Sequence, residues 1–316
     1  MRALVTGANG FAGHYLVDAL RQEGAHVTAC GGPHETDGEF LALDVRDEAS
    51  IRAAIAAAQP TVVFHLAAQT FVPESFEAPL ATYQTNTRGT ALLSQAVREY
   101  ARSSGTMPRI VFASSAEVYG VRSRDEFPLH ETLDLRPATP YAASKAAAEA
   151  ILLGEARSFG LDVVVARAFN HIGPGQSDRF VVPSFAAQLA RIAAGGDPKL
   201  LVGNIEAARD FLDVRDVVRA YLALATSGES REIYNVCSGG AVTIREVLRE
   251  LITIAHVPVE VREDPARMRP SDVPLFVGSA QKLHDRTGWK PEISLAQSLR
   301  QIYEAARVAG NQPATS

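Results

Sequence analysis

The stretch "VTGANGFAG" (5–13) constrains this chain more than any other. Gly7, Gly10 and Gly13 follow the apolar run "RALVT" directly and open the helical run "FAGHYLVDALRQEG". Glycines at a strand-to-helix junction permit a tight turn and a close backbone approach. They leave the helix N-terminus able to receive a pyrophosphate. The spacing is G-x-x-G-x-x-G rather than G-x-G-x-x-G, and alone it fits any sharp strand-to-helix turn. At the first βα junction of a doubly wound sheet it points to a dinucleotide.

The first half of the chain supplies that context. "RALVT" (2–6), "HVTA" (26–29), "FLALDV" (40–45), "TVVFHLA" (61–67), "RIVFASS" (109–115) and "LDVVVARAF" (161–169) read as strands. Their near-continuous apolar character fits a parallel sheet covered on both faces. Helical stretches lie between them, so the expected fold class is α/β: a Rossmann-type doubly wound parallel sheet. After Phe169 the pattern changes to a Gly/Pro-rich loop, "NHIGPGQSDRFVVP", then to shorter mixed elements. Helices are predicted near 183–195, 214–226, 243–255 and 294–308, with strands at "KLLVG" and "EIYNVCS" (232–238). The expected division is a dinucleotide-binding domain over 1–168, with 211–236 returning to it. A smaller mixed α/β substrate-binding lobe takes 169–210 and 237–316. The last residues, "GNQPATS", read as disordered.

A net charge of −5 argues against a nucleic-acid surface, so an anionic substrate must be met by local arginines. Two cysteines make neither a disulfide framework nor a zinc cluster, and no His-x-x-x-His pair suggests a metal. A lone histidine such as His65 reads as packed or capped. With no leader-like segment and no apolar run of membrane-spanning length, the expectation is a soluble cytoplasmic protein.

Along the cofactor, the expected contacts are Gly7, Gly10, Phe11, Ala12 and Gly13, then Asp44 and Val45, then Leu66, Ala67 and Ala68 of "HLAA", and Asn86, Tyr141 and Lys145. Asp44 serves equally well as the cap of the following helix. The end of strand two reads "TACGGPH", with neither the carboxylate that favours NAD(H) nor an arginine for a 2′-phosphate. NADP(H) is favoured and NAD(H) stays open. Catalysis falls to "PYAASKAAAE" (140–149), where Tyr141 and Lys145 share a helix face, and to Ser115 at the end of strand five. A free phenol titrates too high for neutral pH, and a nearby ammonium together with a positive nicotinamide is expected to lower it.

The set TGxxGFxG, "HLAAQ", "SSAEVYG", "YAASK" and "RAFNHIGPGQ" resembles the extended short-chain dehydrogenase/reductases that act on nucleotide sugars, over essentially the whole chain. Within that family "TFVPESFE", "FNHIGPGQ", "ARDFLDVRDVVRAYL", "YNVCSGG", "DPARMRPSDVP" and "TGWKPEISLAQSL" most resemble the GDP-4-keto-6-deoxy-D-mannose reductases, which form GDP-D-rhamnose. The resemblance implies a catalytic Ser115, Tyr141 and Lys145, with Asn86 of "QTNTRGT" in the proton-relay network. It also implies a GDP-sugar contacted by Thr70, Asn170, Val181, Arg209, Arg269 and Asp272, and a homodimer through helices near 88–102 and 141–159. Arg209 has a plainer reading as a surface ion pair with Asp210. Glu117 leaves a second reaction open, because a carboxylate two residues after the hydroxyl acts as base in related 4,6-dehydratases. A different nucleotide-sugar epimerase or reductase, or a non-catalytic dinucleotide-binding regulator, are the remaining alternatives.

Overall fold

The computed structural model describes residues 1–35, 38–267 and 273–310. Strands β1 (Arg2–Thr6), β2 (His26–Gly31), β3 (Leu41–Ala42), β4 (Val62–His65), β5 (Arg109–Ser115) and β6 (Asp162–Ala168) form one parallel sheet, in the order β3-β2-β1-β4-β5-β6. A seventh strand from much later in the chain pairs outside β6. The order reverses between β1 and β4, which opens a crevice beyond the carboxyl ends of those strands.

Helix α1 (Phe11–Gln22) covers one face of the sheet. Helices α2 (Glu48–Ala58), α5 (Gly89–Ser104) and α6 (Pro140–Phe159) cover the other. The short α3 (Val72–Glu77) and α4 (Pro79–Tyr83) lead into α5 through a π-helical turn, Gln84–Arg88. Phe64, Val111, Val163, Val164 and Leu16 are fully buried. Each such side chain contributes roughly 1.5–3 kcal/mol relative to exposure.

Strand β3 is shorter than "FLALDV" suggests. Arg46 N–H donates to Asp44 Oδ1 and Asp47 N–H to Asp44 O, which bends the chain out of the sheet after Ala42. The residue that caps α2 is Asp47, accepting from Ala49 and Ser50 N–H, and not Asp44.

Beyond the sheet, β7 (Asn170–Ile172), α7 (Val181–Ala193), β8 (Lys199–Val202), β9 (Ala208–Arg209) and β10 (Phe211–Asp213) begin a smaller lobe. Helix α8 (Val214–Ser227) returns to pack with α1, and β11 (Ile233–Val236) is the seventh strand of the large sheet. Then follow β12 (Val242–Thr243), α9 (Ile244–Ala255), β13 (Glu260–Glu263), β14 (Leu275–Phe276), α10 (Gln281–Thr287) and α11 (Leu295–Gly310). The lobe is mixed: β7/β10, β8/β13 and β9/β14 pair parallel, and β9/β12 antiparallel. Its own core joins Val182, Phe185 and Leu189 to Val247, Leu251, Leu299 and Ile302. Among the described residues no helix is long and apolar enough to cross a membrane. Of the tail expected to be disordered, Gly310 closes α11 and 311–316 lie outside the described residues.

Candidate active site

The glycine turn sits at the crevice. Gly7 has φ +71, and a Cβ there would lie 2.7 Å from Ala67 N. That close approach brings Leu66 and Ala67, at the end of β4, against the turn. Leu66 N–H donates to Thr6 O and Ala67 N–H to Thr6 Oγ1. A Cβ on Gly13 would lie 2.2 Å from Gly7 O, so only glycine lets α1 pack down on its own approach loop. Gly10 caps α1 with no side-chain bond, and no acidic residue occupies the first turn. The cradle therefore fits a dinucleotide pyrophosphate at a positive helix end.

Of the other residues expected along the cofactor, Ala12 lies half-buried in the first turn of α1, and Ala68 lies half-buried after β4. Val45 is buried against Gly89. Phe11 stacks on His171 at 5.9 Å, which ties α1 to β7, and meets Tyr15 edge-on. Asp44 is bound twice by Arg46, whose hydrogen bonds hold its carboxyl below the usual range.

The catalytic candidates converge. Thr139 caps α6 and Pro140 occupies its first turn, which sets Tyr141 at the mouth of the helix. Tyr141 is buried, with Ser115 near enough to its phenol to favour the ionised form. Ser115 Oγ also accepts from Glu117 N–H at 3.2 Å, in the 3₁₀ turn Ala116–Tyr119. Lys145, one turn further on, donates from Nζ to Ala113 O at 2.8 Å and lies 4.9 Å from the Phe112 ring centroid.

The expected lowering of the Tyr141 pKa is not what this geometry produces. Burial pushes the phenol well above its ordinary value, and the Glu117 carboxylate pushes it further, against the Ser115 hydrogen bond. Lys145 is itself brought down to about 8 by burial, opposed by the charge of Glu149. Tyr141 therefore keeps its proton, while the Lys145 amine one helical turn further on is turned to Ala113 O.

Asn86 lies buried inside the π-helical turn, a distortion frequent at functional sites. Its Oδ1 accepts from Gln69 N–H, and its Nδ2 donates to Gln69 O and to Ser144 Oγ. Ser144 Oγ in turn donates to Tyr141 O. Asn86 thus fastens the loop after β4 to the turn bearing Tyr141.

His65 is buried between Thr6 and Thr90. Thr90 Oγ1 donates to Asn86 O and Thr6 Oγ1 accepts from Ala67 N–H, which assigns the proton to Nε2 of a neutral ring. Burial, and then the charge of Lys145, push the pKa of His65 down to about 3.

Sequence reading missed the layer beneath. Glu149 repeats the Tyr141–Lys145 spacing once more along α6. It pairs with Arg167 on β6 at 2.7 Å, both side chains almost wholly buried, and accepts from Ser114 Oγ. The Arg167 guanidinium carbon lies 4.8 Å from the Tyr119 ring centroid. Helical periodicity alone would have flagged Glu149; its partner depends on the sheet.

On the substrate side, Thr70 is exposed after β4, and Val181 is half-buried at the start of α7. Their segments meet: Arg179 lies 3.8 Å from the Phe71 ring centroid, and Phe180 packs edge-on against Phe71. Asn170 is exposed at the head of β7, in register with Phe211. Arg209 donates from Nη1 to Ala208 O and Val273 O. Asp210 is wholly buried and accepts from Ser238 Oγ and the N–H groups of Ser238, Gly239 and Gly278, so it forms no surface pair. Arg269 and Asp272 lie outside the described residues.

A parallel sheet with this strand order, a glycine turn at its first junction and a Ser115–Tyr141–Lys145 cluster at its carboxyl edge define an extended short-chain dehydrogenase/reductase. The chain belongs to the GDP-mannose 4,6 dehydratase family, whose model matches residues 4–302. It is 45% identical over 302 residues to the GDP-6-deoxy-D-mannose reductase of Pseudomonas aeruginosa, covering 95% of each chain. Among solved structures it is similar to RMD from Pseudomonas aeruginosa complexed with NADPH, with a TM-score of 0.87, 40% identity and 98% and 99% of the two chains covered. It is also similar to the Thermus thermophilus UDP-glucose 4-epimerase complex with NAD, at TM-score 0.87, 34% identity and coverage of 98% and 100%.

Proposed function

We propose that this chain reduces the C4 ketone of GDP-4-keto-6-deoxy-D-mannose to GDP-D-rhamnose, using NADPH or NADH. The observation that carries the reading is the buried Tyr141, in the first turn of α6, brought to Ser115 at the carboxyl end of β5. The 45% identity to a GDP-6-deoxy-D-mannose reductase supports the substrate, and the NADPH and NAD complexes of similar structures support the cofactor.

A reduced dinucleotide held by the Gly7–Gly13 turn would supply the hydride for the C4 carbonyl, whose oxygen then gains the charge of an alkoxide. Ser115 donates to that oxygen and orients it against Tyr141. Tyr141 delivers its phenolic proton to the developing alkoxide, leaving a C4 hydroxyl and a phenolate. Lys145 stabilises the phenolate electrostatically. Asn86 and Ser144 hold the first turn of α6 in place. Thr70, Asn170, Val181 and Arg209 fall to the GDP-sugar, with Arg209 opposite phosphate, where a guanidinium fork suits oxygen pairs; the same reading assigns phosphate to Arg269 and a ribose or guanine donor to Asp272. Residues 1–168 with 211–236 serve the cofactor, and the remainder serves the sugar. A homodimer through α5 and α6 and a cytoplasmic location complete the proposal; small residues along α6 and two buried free cysteines support them.

Incubation with GDP-4-keto-6-deoxymannose and NADPH, followed by NMR of the sugar, tests the reaction. Stoichiometric cofactor oxidation with a D-rhamnose product is expected; no oxidation with either NADPH or NADH would sink the assignment. The dehydratase reading keeps one specific support, Glu117 beside Tyr141, and predicts a 4-keto product from GDP-mannose with no added cofactor.

The pH profile follows from Lys145. Its ammonium is present below about 8 and lost above it, whereas Tyr141 stays protonated well beyond that range. Ketone reduction is therefore expected to fall as pH rises through about 8. A kcat that climbs across that interval would contradict this role for Lys145.

A further inference from the structure

We infer that Glu35 reads the ribose 2′ position of the bound dinucleotide, accepting a hydrogen bond from the 2′-hydroxyl of NAD(H) and opposing the 2′-phosphate of NADP(H). The inference rests on the dinucleotide reading above. Strand β2 ends at Gly31 without an acid, but the chain then folds back on itself. Glu35 N–H donates to Gly32 O at 3.3 Å. The Glu35 carboxylate accepts a hydrogen bond from Asn9 Nδ2, inside the glycine turn. A Cβ on Gly31 would lie 2.4 Å from Glu35 Cγ and 2.7 Å from its Oε1, so the half-buried side chain lies directly over the last residue of β2. The glycine turn is fixed to the same strand end, because Ala8 N–H donates to Cys30 O at 2.8 Å.

The carboxylate thus stands in the corner between the glycine turn and the end of β2. In doubly wound folds that corner receives the adenosine ribose, and an acid there accepts from the 2′-hydroxyl. Two nearby arginines already hold hydrogen bonds. Arg46 is doubly hydrogen-bonded to Asp44, and Arg88 donates to Arg46 O. A 2′-phosphate entering this corner meets Glu35 as a like charge. Only glycine at Gly31 leaves room for the carboxylate to lie there, so the two positions form one device.

Direct titration of NADH and of NADPH into the full chain without sugar, read by cofactor fluorescence, separates this inference from the catalytic proposal. Glu35→Gln keeps an acceptor for Asn9 and removes the charge; Glu35→Ala removes both. For Glu35→Gln the ratio of the NADH Kd to the NADPH Kd is expected to rise at least about tenfold, a free-energy change of roughly 1.4 kcal/mol. Glu35→Ala is expected to move the ratio in the same direction. An unchanged ratio in both variants, with the native chain binding either cofactor, overturns the role of Glu35 alone. Failure of the native chain to bind either cofactor overturns the dinucleotide reading and this inference with it.

Discussion

Replacing Tyr141 by phenylalanine is expected to lower kcat for ketone reduction by about 10²–10⁴-fold, the usual contribution of a positioned general acid. The buried phenol keeps its proton and lies near Ser115. Lys145 is aimed at Ala113 O, so its own proton serves the backbone and the field rather than the substrate. Phenylalanine fills the same buried space, and cofactor affinity should change little. Stopped-flow oxidation of NADPH by the keto sugar measures the step directly. A loss of less than about tenfold would remove Tyr141 as the acid. Activity that instead collapses in Glu117→Gln, with a 4-keto product from GDP-mannose in the native protein, would move the chain to the dehydratase side of its family.

Truncating Glu149 to alanine is expected to be the most damaging single change to stability, at roughly 3–5 kcal/mol. The carboxylate answers two buried cations at once: Arg167 at 2.7 Å and, through its field, Lys145. It also receives the Ser114 hydroxyl. Without it, two positive charges share an interior with no counter-charge between them, and Arg167 Nη1 already lacks a hydrogen-bond partner. Arg167→Met should cost less, because Glu149 then still faces Lys145. Thermal unfolding of both variants checks the order, and a milder effect for Glu149→Ala than for Arg167→Met would refute the account. The same field argument gives a sign for the pH profile: Glu149→Gln lowers the pKa of Lys145 further and moves the alkaline fall in activity to lower pH.

Much of this site could be read directly from residue spacing. The i, i+4 relation of Tyr141 and Lys145, the glycines at the first βα junction and the apolar runs of a covered sheet are local signals, and local geometry enforces them. Strand ends and caps were less legible. "FLALDV" has the composition of a strand, but the Asp44–Arg46 turn releases it from the sheet after Ala42, and Asp47 takes the cap expected of Asp44. No composition signal announces the π-helical turn that buries Asn86 between Gln69 and Ser144.

The sequence by itself determined the fold class, the helix that carries the acid and its ammonium, and the strand end that supplies Ser115. Each is set by periodicity or by residues within a few positions of one another. The tertiary structure decided which charges meet. Glu149 finds Arg167 because the register of β5 and β6 sets Ser114 beside Arg167. Glu35 lies over Gly31 because the chain folds back beyond the strand, where reading the strand alone ends at "GGPH" without an acid. The pKa of Tyr141 likewise rises rather than falls, because burial, which spacing does not encode, outweighs the hydrogen bond that would lower it.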